Sequence, residues 1–128
     1  MSDDLSAKTI LVVDDDPDIL QSVESALEEL GARVVCARDG KEAVRQAEAA
    51  TPDLVVLDQM MPGHNGLVVL EHLRQGKGED DPPHVIMVTA NDGTRHEMYA
   101  ATLGARAYLR KPFKMSKLVE VARGILTG

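Results

Sequence analysis

The stretch Ile10-Leu11-Val12-Val13-Asp14-Asp15-Asp16 decides the fold. Four apolar residues in succession, with no polar alternation, suit a strand covered on both faces, as in parallel sheets. The run ends abruptly in three carboxylates. A second run, Leu54-Val55-Val56-Leu57, ends the same way at Asp58. Two such strands would gather acids at one edge of a sheet. Clustered carboxylates resist joint ionisation unless a cation sits between them. The pattern therefore points to a hard-metal site with a nucleophilic carboxylate, and so to phosphoryl chemistry.

Working outward, apolar runs alternate with helical patterns five times. The runs cover residues 9–13, 33–37, 54–57, 85–88 and 107–109. Asp16 with Pro17 reads as a helix start, and Ile19, Val23, Ala26, Leu27 and Leu30 follow at helical spacing before Gly31. Asp39 with Glu42 resembles a capping box, ahead of Ala43, Val44 and Ala47, and Pro52 marks the exit. Gly66 leads into Leu67, Leu70 and Leu73, with an end near Gly76. A weaker pattern over 92–103 offers Met98, Ala101 and Leu103 as its apolar face, with Gly104 as its cap. The last helix uses Met115, Leu118, Val119, Ala122 and Ile125. Five βα units with right-handed crossovers put helices on both faces of a doubly wound sheet. The polar connection over 76–83 reads as a flexible surface loop.

The 128 residues fit one domain, residues 1–128, and the start and stop suit either a stand-alone protein or a piece of a longer one. A hydrophobic content of 44% with 27% charged residues describes an ordinary soluble protein, and cytoplasmic residence is expected. The net charge of −7 argues against nucleic-acid binding by this domain. No apolar run approaches the roughly 20 residues of a membrane span, and the acidic start Met1-Ser2-Asp3-Asp4 is no secretory signal. The one cysteine, Cys36, reads as a small buried hydrophobe. His64, His72, His84 and His96 show no metal-ligand spacing and read as surface or loop residues.

In a doubly wound sheet, ligands bind beyond the carboxyl ends of the strands. Asp14 and Asp15 follow the first run, Asp58 the third, Thr89 the fourth and Lys111 the fifth. Their shared position at strand ends brings these five residues to one rim.

Four stretches now carry a resemblance. They are residues 10–16, Leu57-Asp58-Gln59-Met60-Met61-Pro62-Gly63-His64-Asn65-Gly66, Val88-Thr89-Ala90, and Gly104-Ala105-Arg106-Ala107-Tyr108-Leu109-Arg110-Lys111-Pro112-Phe113. In this order and spacing the chain resembles a receiver domain of two-component response regulators, of the CheY-like superfamily. The resemblance implies a flavodoxin-like five-stranded sheet in the order 2-1-3-4-5 between two layers of helices. It implies that Asp58 accepts a phosphoryl group from a phosphohistidine, forming a reactive acyl phosphate. Mg²⁺ (or Mn²⁺) would be held by Asp15, Asp58 and the Met60 backbone carbonyl, with Asp14 acting through a coordinated water. Lys111 and Thr89 would contact phosphoryl oxygens, and the Lys111–Pro112 bond would be cis. Tyr108 would be an aromatic whose inward or outward setting tracks phosphorylation, with Thr89 as its trigger.

The changing surface would be the fourth helix, the fifth strand and the fifth helix. The implied partners are a sensor histidine kinase or phosphotransfer protein and a downstream effector or output domain. In some members two copies also pair through that same surface. The chain would then be a switch, with no catalysis beyond self-phosphorylation from a phosphodonor and autodephosphorylation. Pro62-Gly63 and Gly66 read as turn and helix-entry residues. Met61 reads as packing, and the Met60 side chain is placed to cover the acceptor. Met60 and Asn91 are neighbours that would tune the lifetime of the acyl phosphate. Asn65 and Gln59 depart from the commonest pattern, and neither is expected to touch the chemistry.

Two alternatives share the fold class. A haloacid-dehalogenase-like phosphatase would use Asp14 as its nucleophile, since Asp14-x-Asp16 mimics its signature, but Asp18 stands where that family prefers Thr or Val. A flavin-binding module needs a hydroxyl- and glycine-rich phosphate loop after the first strand, where this chain has three aspartates. A third option is a degenerate receiver that only binds proteins. The presence of all five site residues gives no reason to prefer it.

Overall fold

A computed structural model describes residues 5–61, 64–90 and 94–128. The five apolar runs form one parallel sheet. Its strands are β1 (Thr9–Val13), β2 (Arg33–Ala37), β3 (Leu54–Asp58), β4 (His84–Thr89) and β5 (Ala107–Arg110), in the order β2-β1-β3-β4-β5. This is the expected flavodoxin-like arrangement. The central strand β3 is buried along its whole length, which explains why its sequence does not alternate. Each third and fourth strand runs a residue or two further than the apolar runs, because Asp58 and Thr89 continue the ladders into the polar rim.

The helices are α1 (Pro17–Glu28), α2 (Gly40–Ala50), α3 (Gly66–Arg74), α4 (Thr94–Thr102) and α5 (Met115–Thr127). Two separate cores flank the sheet. Ile10, Val12, Leu54, Val56, Ile86 and Val88 face α1 and α5, which contribute Val23, Leu27, Leu118, Ala122 and Leu126. Leu11, Val13, Val55, Leu57, Val85 and Met87 face α2, α3 and α4. Each fully buried aliphatic side chain stabilises this packing by about 1.5–3 kcal/mol. Among the described residues, no helix is long and apolar enough to cross a membrane.

The caps of α1 and α2 follow the residues that signalled them, and Asn65 adds an unforeseen cap at α3. The Asp16 carboxylate accepts from the N–H groups of Asp18 and Ile19, so it caps α1 and does not belong to the acid cluster. Asp39 accepts from the Glu42 N–H at 2.8 Å, and Asn65 accepts from the Leu67 N–H at 2.8 Å.

Several expectations change. Among the described side chains of α4 the buried one is Ala100, whereas Met98 and Ala101 stand exposed and Leu103 lies beyond the helix end, half-buried. A small, sparse face is why the pattern was faint. In α3, Val69 joins the leucines in the core. His84 is a half-buried strand residue, not a loop residue, and burial together with Arg106 and Arg74 lowers its pKa. The 76–83 connection is tied down. The Arg74 guanidinium donates to the carbonyls of Gly78, Asp81 and Pro83, and the Asp81 carboxylate accepts from the Gly78 N–H. A two-stranded hairpin, Met60–Met61 with His64–Asn65, was not foreseen. Cys36 is half-buried against the first core, and burial with nearby Glu24 pushes its thiol up to about 11.

Residues 1–4, the turn at Pro62-Gly63, Asn91 and the expected start of α4 at Asp92 lie outside the described residues. The side chains of Met61, His64 and His96 do too.

Candidate functional site at the carboxyl rim of the sheet

Sheet register brings the rim together. Val13 pairs with Leu57, Asp58 with Val88, and Thr89 with Arg110. The residues that end β1, β3 and β4 therefore stand side by side, and the Lys111 N–H donates to the Thr89 carbonyl at 2.7 Å. One carboxylate oxygen from each of Asp14, Asp15 and Asp58 lies within 4.8 Å of the others. Asp14 and Asp58 are buried and Asp15 is half-buried. The Lys111 ammonium reaches into this group from β5. Its Nζ lies 3.3 Å from Asp14 Oδ2 and 3.8 Å from Asp58 Oδ1.

Two backbone donors steady the acids. The Asp16 N–H donates to Asp14 Oδ1 at 2.9 Å, and the Met60 N–H donates to Asp58 Oδ1 at 3.3 Å. They do not balance the charge. Like charges this close repel by about 3–4 kcal/mol per pair at an effective dielectric near 20. Asp58 shows the strain, since burial and then the Asp14 charge raise its carboxyl to about 6, against the opposing pull of Lys111 and the Met60 N–H. Three carboxylates against one ammonium leave a net charge of about −2, which one divalent ion would cancel. The donor set is all hard oxygen, so Asp14, Asp15 and Asp58 could hold a cation of the Mg²⁺ or Mn²⁺ class. Among the described residues this is the one cluster with metal-ligand proximity, and no histidine belongs to it.

Thr89 is fully buried at the end of β4. The Lys111–Pro112 bond is cis, as expected. The Met60 side chain is 62% exposed beside the acceptor. Gly66 has a specific reason to be glycine. A Cβ there would lie 2.5 Å from the Asp58 carbonyl oxygen and 2.6 Å from the Gln59 Cα, so α3 can start this close to β3 only without a side chain.

Gln59 is the residue whose part the sequence reading missed. It is buried, 2% exposed, one residue beyond Asp58. The Tyr108 hydroxyl donates to its Oε1 at 3.0 Å. Tyr108 is half-buried on β5, and its hydroxyl is tied to this buried amide. The available signal was a polar side chain in a stretch whose backbone continues the central strand.

Comparisons with known proteins bear on the family and the fold. The PhoP alkaline phosphatase synthesis transcriptional regulatory protein of Bacillus subtilis is 39% identical over 119 residues, covering 93% of this chain and 48% of PhoP. The response regulator MprA of Mycobacterium tuberculosis is 39% identical over 91% of this chain and 50% of its own length. The chain thus spans about half the length of these curated relatives. Among solved structures, the receiver domain of Francisella response regulator 1452 superposes with a TM-score of 0.82 at 33% identity, covering 94% of this chain and 96% of that one. A CheY-like receiver domain protein from Methanospirillum hungatei gives 0.85 at 30% identity, with 93% of each chain covered. The phosphatase and flavin alternatives find no support among these relatives. The family model of the response regulator receiver domain matches residues 10–123, and the chain belongs to that family.

Proposed function

We propose that the domain is a phosphorylation-controlled switch whose acceptor is Asp58. The observation that carries this reading is the Lys111 ammonium seated between Asp14 and Asp58, at 3.3 and 3.8 Å, on the rim where three acids converge. A carboxylate oxygen of Asp58 attacks the phosphorus of a phosphohistidine. The new O–P bond forms as the P–N bond breaks, and the imidazole leaves with a proton from solvent. The nucleophile must be ionised, and a carboxyl raised to about 6 is mostly ionised at neutral pH. Lys111 is close enough to neutralise charge on the transferring group. Thr89, at the end of the neighbouring strand, offers its hydroxyl to a phosphoryl oxygen.

Asp14, Asp15 and Asp58, with the Met60 backbone carbonyl, would hold Mg²⁺. When bound, the ion supplies the positive charge that offsets the acid cluster and the phosphoryl oxygens. Hydrolysis of the acyl phosphate resets the switch, so net chemistry is limited to self-phosphorylation and autodephosphorylation.

The readout passes through Tyr108 to the surface made by α4, β5 and α5. Two features support this. The ring joins the rim to β5, and among its described side chains α4 offers Ala100 as the buried one and an exposed ion pair from Glu97 to Arg110 at 3.4 Å. The donor partner is a sensor histidine kinase or phosphotransfer protein. The recipient is an output domain or a separate effector, since relatives such as PhoP are named as transcriptional regulatory proteins and are about twice as long.

The test is intact-mass measurement after incubation with Mg²⁺ and a small phosphodonor such as phosphoramidate. Wild type should gain about 80 Da and Asp58→Asn should gain nothing. Equal gains would overturn the assignment.

A further inference from the structure

Gln59 occupies a crossing point. Its backbone N–H donates to the Val88 carbonyl of β4 at 2.9 Å, and its carbonyl accepts from the Gly66 N–H that opens α3 at 2.7 Å. Its side-chain amide accepts from the Tyr108 hydroxyl on β5 at 3.0 Å. One residue, bonded directly to the proposed acceptor in the chain, thus touches β4, β5 beyond it, and the helix that starts at the site. The acceptor oxygen is buried, so turning the ring away would strip a buried amide of this hydrogen bond. The phenol oxygen also has a side-chain hydrogen bond with Thr89, which sits within the same rim. Beside the ring, a cleft of about 150 Å³ lined by Glu97, Ala101, Ala105, Arg106 and Ala107 leaves room for a second ring position.

We propose that Gln59 is a positioning residue that fixes Tyr108 in its inward setting, so that the resting balance of the switch is set by the residue next to the acceptor. This inference rests on the reading of Tyr108 as the switch residue. It adds a physical link from β3 to β5 that does not pass through the phosphoryl group. Loss of the Gln59 acceptor shifts the ring toward the outer cleft. Any advantage that an inward ring confers on the output surface is then lost without touching Asp58, Lys111 or the acids.

The chain has two tyrosines, Tyr99 and Tyr108. Incorporation of 3-fluorotyrosine therefore gives two ¹⁹F resonances, and Tyr99→Phe assigns them. In wild type, the Tyr108 resonance should show a small H₂O/D₂O isotope shift, and the Tyr108 ring should give a nuclear Overhauser contact to the Gln59 side-chain amide. In Gln59→Leu and Gln59→Met, which keep the bulk and remove the acceptor, the Tyr108 isotope shift should rise toward that of exposed Tyr99. The inward population should fall by about five- to tenfold, the usual worth of one such bond. An unchanged Tyr108 resonance in a folded variant overturns the proposal. Absence of the Tyr108–Gln59 contact in wild type overturns it even if neither variant folds. Intact-mass measurement on the same wild-type sample, with phosphodonor and Mg²⁺, keeps the two readings apart. A normal mass gain with an unmoved Tyr108 signal sinks the role of Gln59 alone, whereas no mass gain sinks the role of Asp58.

Discussion

The ammonium of Lys111 lies 3.3 Å from the carboxylate of Asp14, across 97 residues of sequence. The contact joins the ends of β1 and β5, which are separated in the sheet by β3 and β4. A lysine reaching that far over the rim is placed for the charge it meets there.

Lys111→Gln keeps most of the side chain and removes the charge. Phosphorylation of Asp58 by a small phosphodonor should slow by about a hundredfold, the scale of losing one charged group aimed at a developing anion. Mg²⁺ affinity should hold or rise, because the variant removes a cation that competes for the same acids. Stopped-flow or timed mass measurements, with a metal titration alongside, check both. A wild-type rate in Lys111→Gln would remove the lysine from the mechanism.

The acid cluster has a pH signature. The Asp58 carboxyl ordinarily titrates near 3.8, and in the fold it is raised to about 6. Between these values the folded form holds more protons than the unfolded one, so this group's contribution to stability falls as pH rises through that window. It is fully favourable only below about 3.8 and fully lost above about 6. Asp58→Asn removes the effect, so the metal-free variant should gain stability relative to metal-free wild type as pH goes from 4 to 7. Urea midpoints for both proteins across that range provide the check. A constant difference would mean that Asp58 does not feel its neighbours.

Metal should reverse that penalty. At roughly tenfold excess over its Kd, Mg²⁺ should add about 1.4 kcal/mol, which raises the melting temperature by about 3–6 °C. Near pH 6, binding should also release protons, since the ligands must be ionised. Calorimetry in buffers of different ionisation enthalpy reads the release. No thermal shift at millimolar Mg²⁺ would count against the site.

Gly66→Ala places a methyl group against the backbone of Asp58 and Gln59 at a distance no real contact tolerates. The start of α3 must move away from β3. The expected cost is about 1–3 kcal/mol of stability, together with slower phosphorylation, because the acceptor's own backbone is displaced. A urea midpoint equal to wild type would contradict the close approach.

Much of this was legible in the chain. Continuous apolar runs identify a doubly covered parallel sheet, because strands buried on both faces cannot alternate. Asp16 and Asp39 announce helix starts because a short polar side chain there satisfies free N–H groups, whereas the same role of Asn65 was not read from the chain. The rim residues were found through their shared place at strand ends. Other features depend on tertiary contacts that periodicity cannot carry. Among the described side chains of α4 the buried one is small, Ala100, so its pattern was misassigned to Met98 and Ala101. The 76–83 loop is polar and looks free, but one arginine from α3 gathers three of its carbonyls. Gln59 was passed over because only folding brings Tyr108, 49 residues away, to its amide.

The central claim is that Asp58 carries the phosphoryl group. Borohydride reduction of the phosphorylated protein converts an acyl-phosphate aspartate to homoserine, and peptide mass mapping then locates it. The account predicts homoserine at position 58. Homoserine at position 14, or none at position 58 in protein that has gained the phosphoryl mass, would contradict it.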